Sequence, residues 1–151
     1  MVSENREKSD SRLLKLVYKV LKAKNIDSKK DPIVYSQGGP SAPTLTMENF
    51  WKNYQLRNER DIILMDQRGT GLSEANCIES GEAAIAILRQ NYTKVEEFKA
   101  LNDLLDECKE SIKHDEVDLS GYNSKEIAAD FEDLRKELGY KKWNLFGGSY
   151  G

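Results

Sequence analysis

The sequence predicts an α/β fold built on a mostly parallel central sheet flanked by helices. Three observations carry that expectation. Short apolar runs recur, "PIVYSQ" at 32–37, "DIILMD" at 61–66 and "KWNLF" at 142–146, each bounded by charged or turn-forming residues. Strands covered on both faces read as continuous apolar runs, not as alternations. Segments of helical spacing separate them, and strands alternating with helices indicate parallel pairing. At 151 residues the chain suffices for one domain with a core and is short for two, so 1–151 is read as a single unit.

Taken in order, Leu13 to Lys24 alternates, with Leu14, Leu16, Tyr18 and Val20 on one face, and predicts a half-exposed strand. "NIDSKKD" at 25–31 is a polar turn, 32–37 a buried strand, and "GGPSAP" breaks it. Asn49 to Arg57 predicts a short helix carrying Phe50, Trp51 and Tyr54. Asp61 to Asp66 is the central parallel strand, followed by the glycine-containing loop "QRGTGLSE". Ser80 to Lys113 favours helix, in two pieces broken near "NYTK". "YNSKEIAADFEDLRKELGY" is the clearest helix: Asn123 can cap it, Glu126 stands where a capping box needs it, and Ile127, Phe131, Leu134 and Leu138 line one side. Gly139 suits the left-handed residue that ends it. "KWNLF" is then a further short buried strand.

Composition excludes several function classes. Net charge is −3, with lysines and acids interspersed, so no electrostatic case exists for nucleic acid or an anionic membrane surface. No apolar run approaches the roughly 18–20 residues of a membrane span. The N-terminal "MVSENREKSDSR" has no apolar core and does not read as a signal peptide, so the chain as given reads as cytoplasmic, while the cysteine pair leaves an exported parent open and the localisation of the parent undetermined. One histidine and no C-x-x-C leave too few ligands for a metal site, and no cofactor motif is present. Cys77 and Cys108 permit one disulfide or two free buried thiols.

The chemistry concentrates in three loops. "WNLF" runs into "GGSYG", so Gly147 and Gly151 flank Ser149 in a G-x-S-x-G pattern. Such a turn mounts a nucleophilic serine after a strand, and the N–H of the next residue, Tyr150, then faces a developing oxyanion. The pattern alone is common by chance; its place after a strand gives it weight, against the alternative of a plain glycine-rich turn. "QGGP" at 37–40 follows another strand, where a hydrolase of this type puts its second oxyanion donor. "DQRGTGLS" at 66–73 offers Asp66 and Arg68 for charge-assisted bracing of neighbouring loops. Its G-x-G lacks the third glycine of a dinucleotide fingerprint.

Four patches, "SENREKSDSR" with "VLKA", "SQGGP", "DQRGTGLSE" and "YNSKEIAADFEDLRKELGYKKWNLFGGSYG", resemble in order the α/β-hydrolase family of proline iminopeptidases and tripeptidyl aminopeptidases. The resemblance spans nearly the whole chain. It implies the N-terminal portion of an α/β-hydrolase catalytic domain, ending at the nucleophile elbow, with the cap domain and C-terminal part beyond residue 151. Ser149 corresponds to the nucleophile, and the N–H groups of Gly39 and Tyr150 to the oxyanion hole. Asp66, Arg68 and Gly69 belong to a loop motif with a structural role. The cysteine positions resemble those of exported members, where the pair is often bridged. Ser41 departs from the family's glycine after G-G-P, and Ser3 and Ser9 replace prolines.

The family's order is serine, aspartate, histidine, so both partners of Ser149 are expected downstream. His114, in "SIKHDEVD", precedes the serine and is expected to be solvent-exposed. The expected activity of the parent protein is removal of N-terminal residues from peptides through an acyl-enzyme, with a peptide or small acyl compound as substrate. An esterase on the same fold and a non-catalytic, hydrolase-derived binding module are the alternatives.

Overall fold

The computed structural model describes residues 1–39, 42–75 and 77–151, with Ile78 and Glu79 described by backbone alone. Among the described residues six strands form: β1 Val2–Ser3, β2 Leu13–Leu14, β3 Tyr18–Leu21, β4 Ile33–Ser36, β5 Ile62–Met65 and β6 Asn144–Gly147. Four α-helices accompany them: α1 Glu48–Asn53, α2 Ile78–Leu88, α3 Lys94–His114 and α4 Ser124–Glu137. β1 and β2 make a small antiparallel ribbon, and the main sheet has the order β3-β5-β4-β6. β5–β4 and β4–β6 are parallel; β3–β5 is antiparallel.

The unbroken apolar run of β5 has a simple cause: both its faces are covered. Ile62 and Leu64 join Ile33, Tyr35, Leu21 and Trp51 of α1 on one face. Ile63 and Met65 join Val34 and Leu134 of α4 on the other, with Phe131 and Trp143 packed against them. All four β5 side chains are essentially buried. Each such burial stabilises by roughly 1.5–3 kcal/mol, which anchors the sheet on β5.

Several expectations are corrected. The strand expected over 13–24 is two short strands. Between them the loop after β5 takes the backbone: Val17 O accepts the Asp66 N–H (3.0 Å), Lys15 O accepts that of Glu74 (3.1 Å), and Ser73 Oγ accepts the Val17 N–H (3.0 Å). The expected single face therefore breaks up; Leu14 is buried while Tyr18 is 42% exposed. The helix expected over 49–57 stops at Asn53, and Gln55–Asn58 is a 3-10 turn. The strand expected to be buried at 142–146 lies at the sheet edge with β4 as its neighbour, and Leu145 is 78% exposed.

At α4, Asn123 accepts the Glu126 N–H as expected (3.0 Å), but the Glu126 carboxylate does not return the bond. It turns to Arg6, taking the backbone N–H (3.2 Å) and the guanidinium (2.5 Å). The helix ends in a Schellman turn, with Gly139 at φ +73° and Tyr140 N–H bonding Arg135 O (3.1 Å). A full capping box forms instead at α3, between Thr93 and Glu96.

A buried charge network holds the N-terminal segment to the sheet. Arg68, its side chain fully buried, donates Nε and Nη2 to the two oxygens of Asp130, 2.7 Å each. Its Nη1 serves the carbonyls of Glu4 and Gly121, 2.5 Å each. Arg6 adds bonds to Asp130 (2.8 Å) and Asp133 (2.6 Å). The Glu4 carboxylate meets Arg12 (2.9 Å), the Asp118 N–H (3.0 Å) and the Tyr122 hydroxyl (3.0 Å). Burial raises its pKa, but these partners prevail and hold it below the ordinary value of 4.5.

Cys77, at the N-terminus of α2, and Cys108 of α3 are joined in a disulfide with Cα atoms 5.9 Å apart. The α2–α3 hairpin packs chiefly on itself, and α3 has no buried residue.

Two predictions concern this scaffold. Replacing both cysteines by serine should lower unfolding stability by about 4 kcal/mol for a closure of this length. Amide exchange should quicken across α2 and α3 and stay slow in β5; uniform acceleration would show that the bridge serves the whole domain. The second concerns Glu4. Its pKa is depressed on folding, so its contribution is complete above about 4.5 and is lost as pH falls through the lower folded value. The Glu4→Gln variant should have a lower denaturation midpoint at neutral pH and a shallower loss in acid. Parallel acid profiles for variant and wild type would contradict this.

Candidate active site

Parallel pairing brings two loops together. β4 and β6 run in register from Ile33 opposite Asn144 to Ser36 opposite Gly147, so both end at the same sheet edge. Gln37–Gly39 leaves one strand and Gly148–Gly151 the other. The second turn is docked on the first strand: Gly148 N–H donates to Ser36 O (3.2 Å), and Gly151 N–H donates back to Gly148 O (3.1 Å).

Ser149 takes φ +59°, a left-handed conformation. For a residue with a Cβ this costs on the order of 1–2 kcal/mol, and strain of this kind collects at functional turns. The flanking glycines are required by contact. A Cβ on Gly147 would strike the Gly151 carbonyl, and one on Gly151 would strike that of Ser36. The G-x-S-x-G spacing is thus the sequence trace of a turn folded tightly onto its own strand and its neighbour.

Gly38 completes the close approach. A Cβ there would stand 2.5 Å from Gly148 O, 2.6 Å from Ser149 Cβ and 3.0 Å from Tyr150 N. Gly39, the residue expected to donate to the oxyanion, is exposed and lies at φ +128°, a region open to glycine. Pro40 and Ser41 lie outside the described residues, so the departure at Ser41 has no structural account. The Tyr150 hydroxyl lies 2.6 Å from Ser124 Oγ, linking the elbow to the first residue of α4.

The loop after β5 supports this edge from the other side. Asp66 is buried; its two oxygens accept the N–H groups of Leu45 (2.8 Å) and Leu72 (2.9 Å). It therefore holds the segment that follows the Gln37–Gly39 turn. Gly69, at φ +72°, donates its N–H to Glu74 O (3.1 Å) and lets Arg68 enter the buried network. Gln67 donates Nε2 to Ser36 Oγ (3.0 Å) and Gln37 O (3.3 Å), and Tyr35 donates its hydroxyl to Gln37 Oε1. Gln67 and Tyr35 were not singled out from the sequence, although both stand inside or beside quoted motifs. Only contacts between the ends of β4 and β5 reveal them.

His114 stands at the end of α3 with its side chain 91% exposed and Nδ1 3.4 Å from Asp115, on a different element from Ser149. Among the described residues no group of histidine, cysteine and acidic side chains is arranged to hold a metal ion. An apolar groove of about 480 Å³ opens beside the elbow between α4 and β6, lined by Val34, Ile127, Phe131, Trp143 and Leu145, with Gln67 and Tyr150 also on its wall.

Comparison with known proteins agrees with this geometry. Residues 31–151 match the family model of the alpha/beta hydrolase fold, and the chain belongs to that family. It is also 30% identical over 120 residues to a Mycoplasma genitalium protein named "Putative proline iminopeptidase". That match covers 80% of this chain and 25% of the relative, so the chain spans about a quarter of the relative's length.

The packing leaves no room for a side chain at Gly38, where the two turns meet. Gly38→Ala must displace backbone atoms of the elbow, which costs about 1–3 kcal/mol in a well-packed site. Urea denaturation should show a lower midpoint with an unchanged slope. A midpoint equal to wild type would mean that the two turns are not in contact in solution.

Proposed function

We propose that this chain carries the nucleophile and oxyanion donors of a serine hydrolase, and that the protein is an aminopeptidase. The observation that carries the reading is Ser149, held at φ +59° at the end of a parallel strand with the Gly38–Gly39 turn packed against it. Ser149 Oγ attacks the acyl carbon of the substrate, giving its proton to a general base. The N–H groups of Tyr150 and Gly39 stabilise the tetrahedral oxyanion. The amine departs with a proton, leaving an acyl-enzyme, and water releases the acid and restores the serine. In this family's order the base and its orienting carboxylate follow the serine. The aminopeptidase reading is supported by the name of the relative and by the "SQGGP" and "DQRGTGLSE" patches.

The test uses the full-length protein. A fluorophosphonate probe should label Ser149, and Ser149→Ala should abolish both labelling and cleavage of proline- or alanine-terminated chromogenic amides. Gly39→Ala should cost on the order of 10² to 10³ in kcat. Labelling at another serine defeats the assignment. Labelling at Ser149 with turnover of aryl esters but not of amides selects the esterase reading. Residues 1–151 alone should show no measurable turnover, since a serine without its base is a weak nucleophile.

A further inference from the structure

We propose that Gln67 is a positioning residue that sets the oxyanion turn against the nucleophile elbow; the proposal rests on the serine hydrolase reading above. Gln67 follows β5, which pairs in parallel with β4 through Ile33–Ile62, Val34–Ile63 and Tyr35–Leu64. Its side chain crosses back to the end of β4, where Nε2 divides between Ser36 Oγ (3.0 Å) and Gln37 O (3.3 Å). Those two residues are the hinge of the site. Ser36 O accepts Gly148 N–H from the elbow (3.2 Å), and Gln37 begins the turn that presents Gly39. The Tyr35 hydroxyl takes the Gln37 side chain and also lies 3.3 Å from where a Cβ on Gly148 would stand. Gln37 is thus gripped by its carbonyl from β5 and by its side chain from β4.

The other end of Gln67 argues that packing does not explain this residue. Gln67 is 3% exposed, and its Oε1 is buried with no hydrogen-bond partner among the described residues. A buried acceptor without a donor is unfavourable, and an apolar side chain of the same shape would avoid it. What an apolar residue cannot supply is the pair of bonds from Nε2. Donors preorganised for a developing oxyanion lose effect when displaced by about 1 Å, so a residue that fixes their backbone acts on the transition state without touching substrate.

The experiment compares Gln67→Met with wild type in the full-length protein, using a proline-terminated chromogenic amide and a fluorophosphonate. The expected result is a fall in kcat of roughly tenfold to a hundredfold with KM held within about twofold. Labelling of Ser149 should slow in parallel and still reach full stoichiometry, and the thermal midpoint should stay close to wild type. A purely structural role would instead lower the midpoint or the labelled fraction and leave kcat per labelled site unchanged; that result overturns the proposal, as does a loss carried by KM alone. If Gln67→Met does not fold, Ser36→Ala removes one acceptor at the strand end. It should give the same split at smaller amplitude, and an unchanged kcat there also overturns the proposal. Wild type that is not labelled at Ser149 removes the hydrolase reading, and this inference with it. Labelled wild type with an indifferent Gln67→Met removes the inference alone.

Discussion

Arg68 carries a full positive charge in a place closed to water, and Asp130 meets it with both carboxylate oxygens at 2.7 Å. This fork draws together the loop after β5, the first half of α4, the turn at Gly121 and the N-terminal segment through Glu4 O. Such a pair is seldom a large net source of stability, because desolvation offsets much of the attraction. Its stronger effect is on alternatives: with either partner removed, the other is left as a buried charge, at a cost of about 3–5 kcal/mol. Arg6, Glu126 and Asp133 extend the network, so the N-terminal residues act as a strap across α4 and the β5 loop.

The edge carrying Ser149 depends on that arrangement through two short links. α4 covers the face of the sheet that holds Val34 and Ile63, and its first residue reaches Tyr150. The β5 loop, fixed by Arg68, places Asp66 under Leu45 and Gln67 under Ser36 and Gln37. The strained serine conformation persists because its surroundings leave the turn no room to relax: Gly148 is bonded to Ser36, and Gly38 is packed against the elbow. Against this rigid edge the α2–α3 hairpin stands apart, tied by the Cys77–Cys108 bridge with Phe98 and Leu105 exposed.

The amino-acid pattern by itself determined the parts governed by local physics. The apolar runs at 33–36 and 62–65 specified strands, since few alternatives bury so many adjacent side chains. Asn123 and Gly139 marked the ends of α4, because caps depend on residues a few positions away. G-x-S-x-G specified the elbow, because its glycines answer contacts made within the turn and to the adjacent strand. Tertiary structure decided the rest. The alternation over 13–24 looked like one strand until the β5 loop captured the backbone at Lys15 and Val17. Glu126 had the spacing for a capping box, yet a guanidinium 120 residues away was the stronger partner. Gln67, Tyr35 and Gly38 acquired their places at the site only when β5, β4 and β6 aligned. Hydrogen bonds between side chains distant in sequence leave no period or spacing to read.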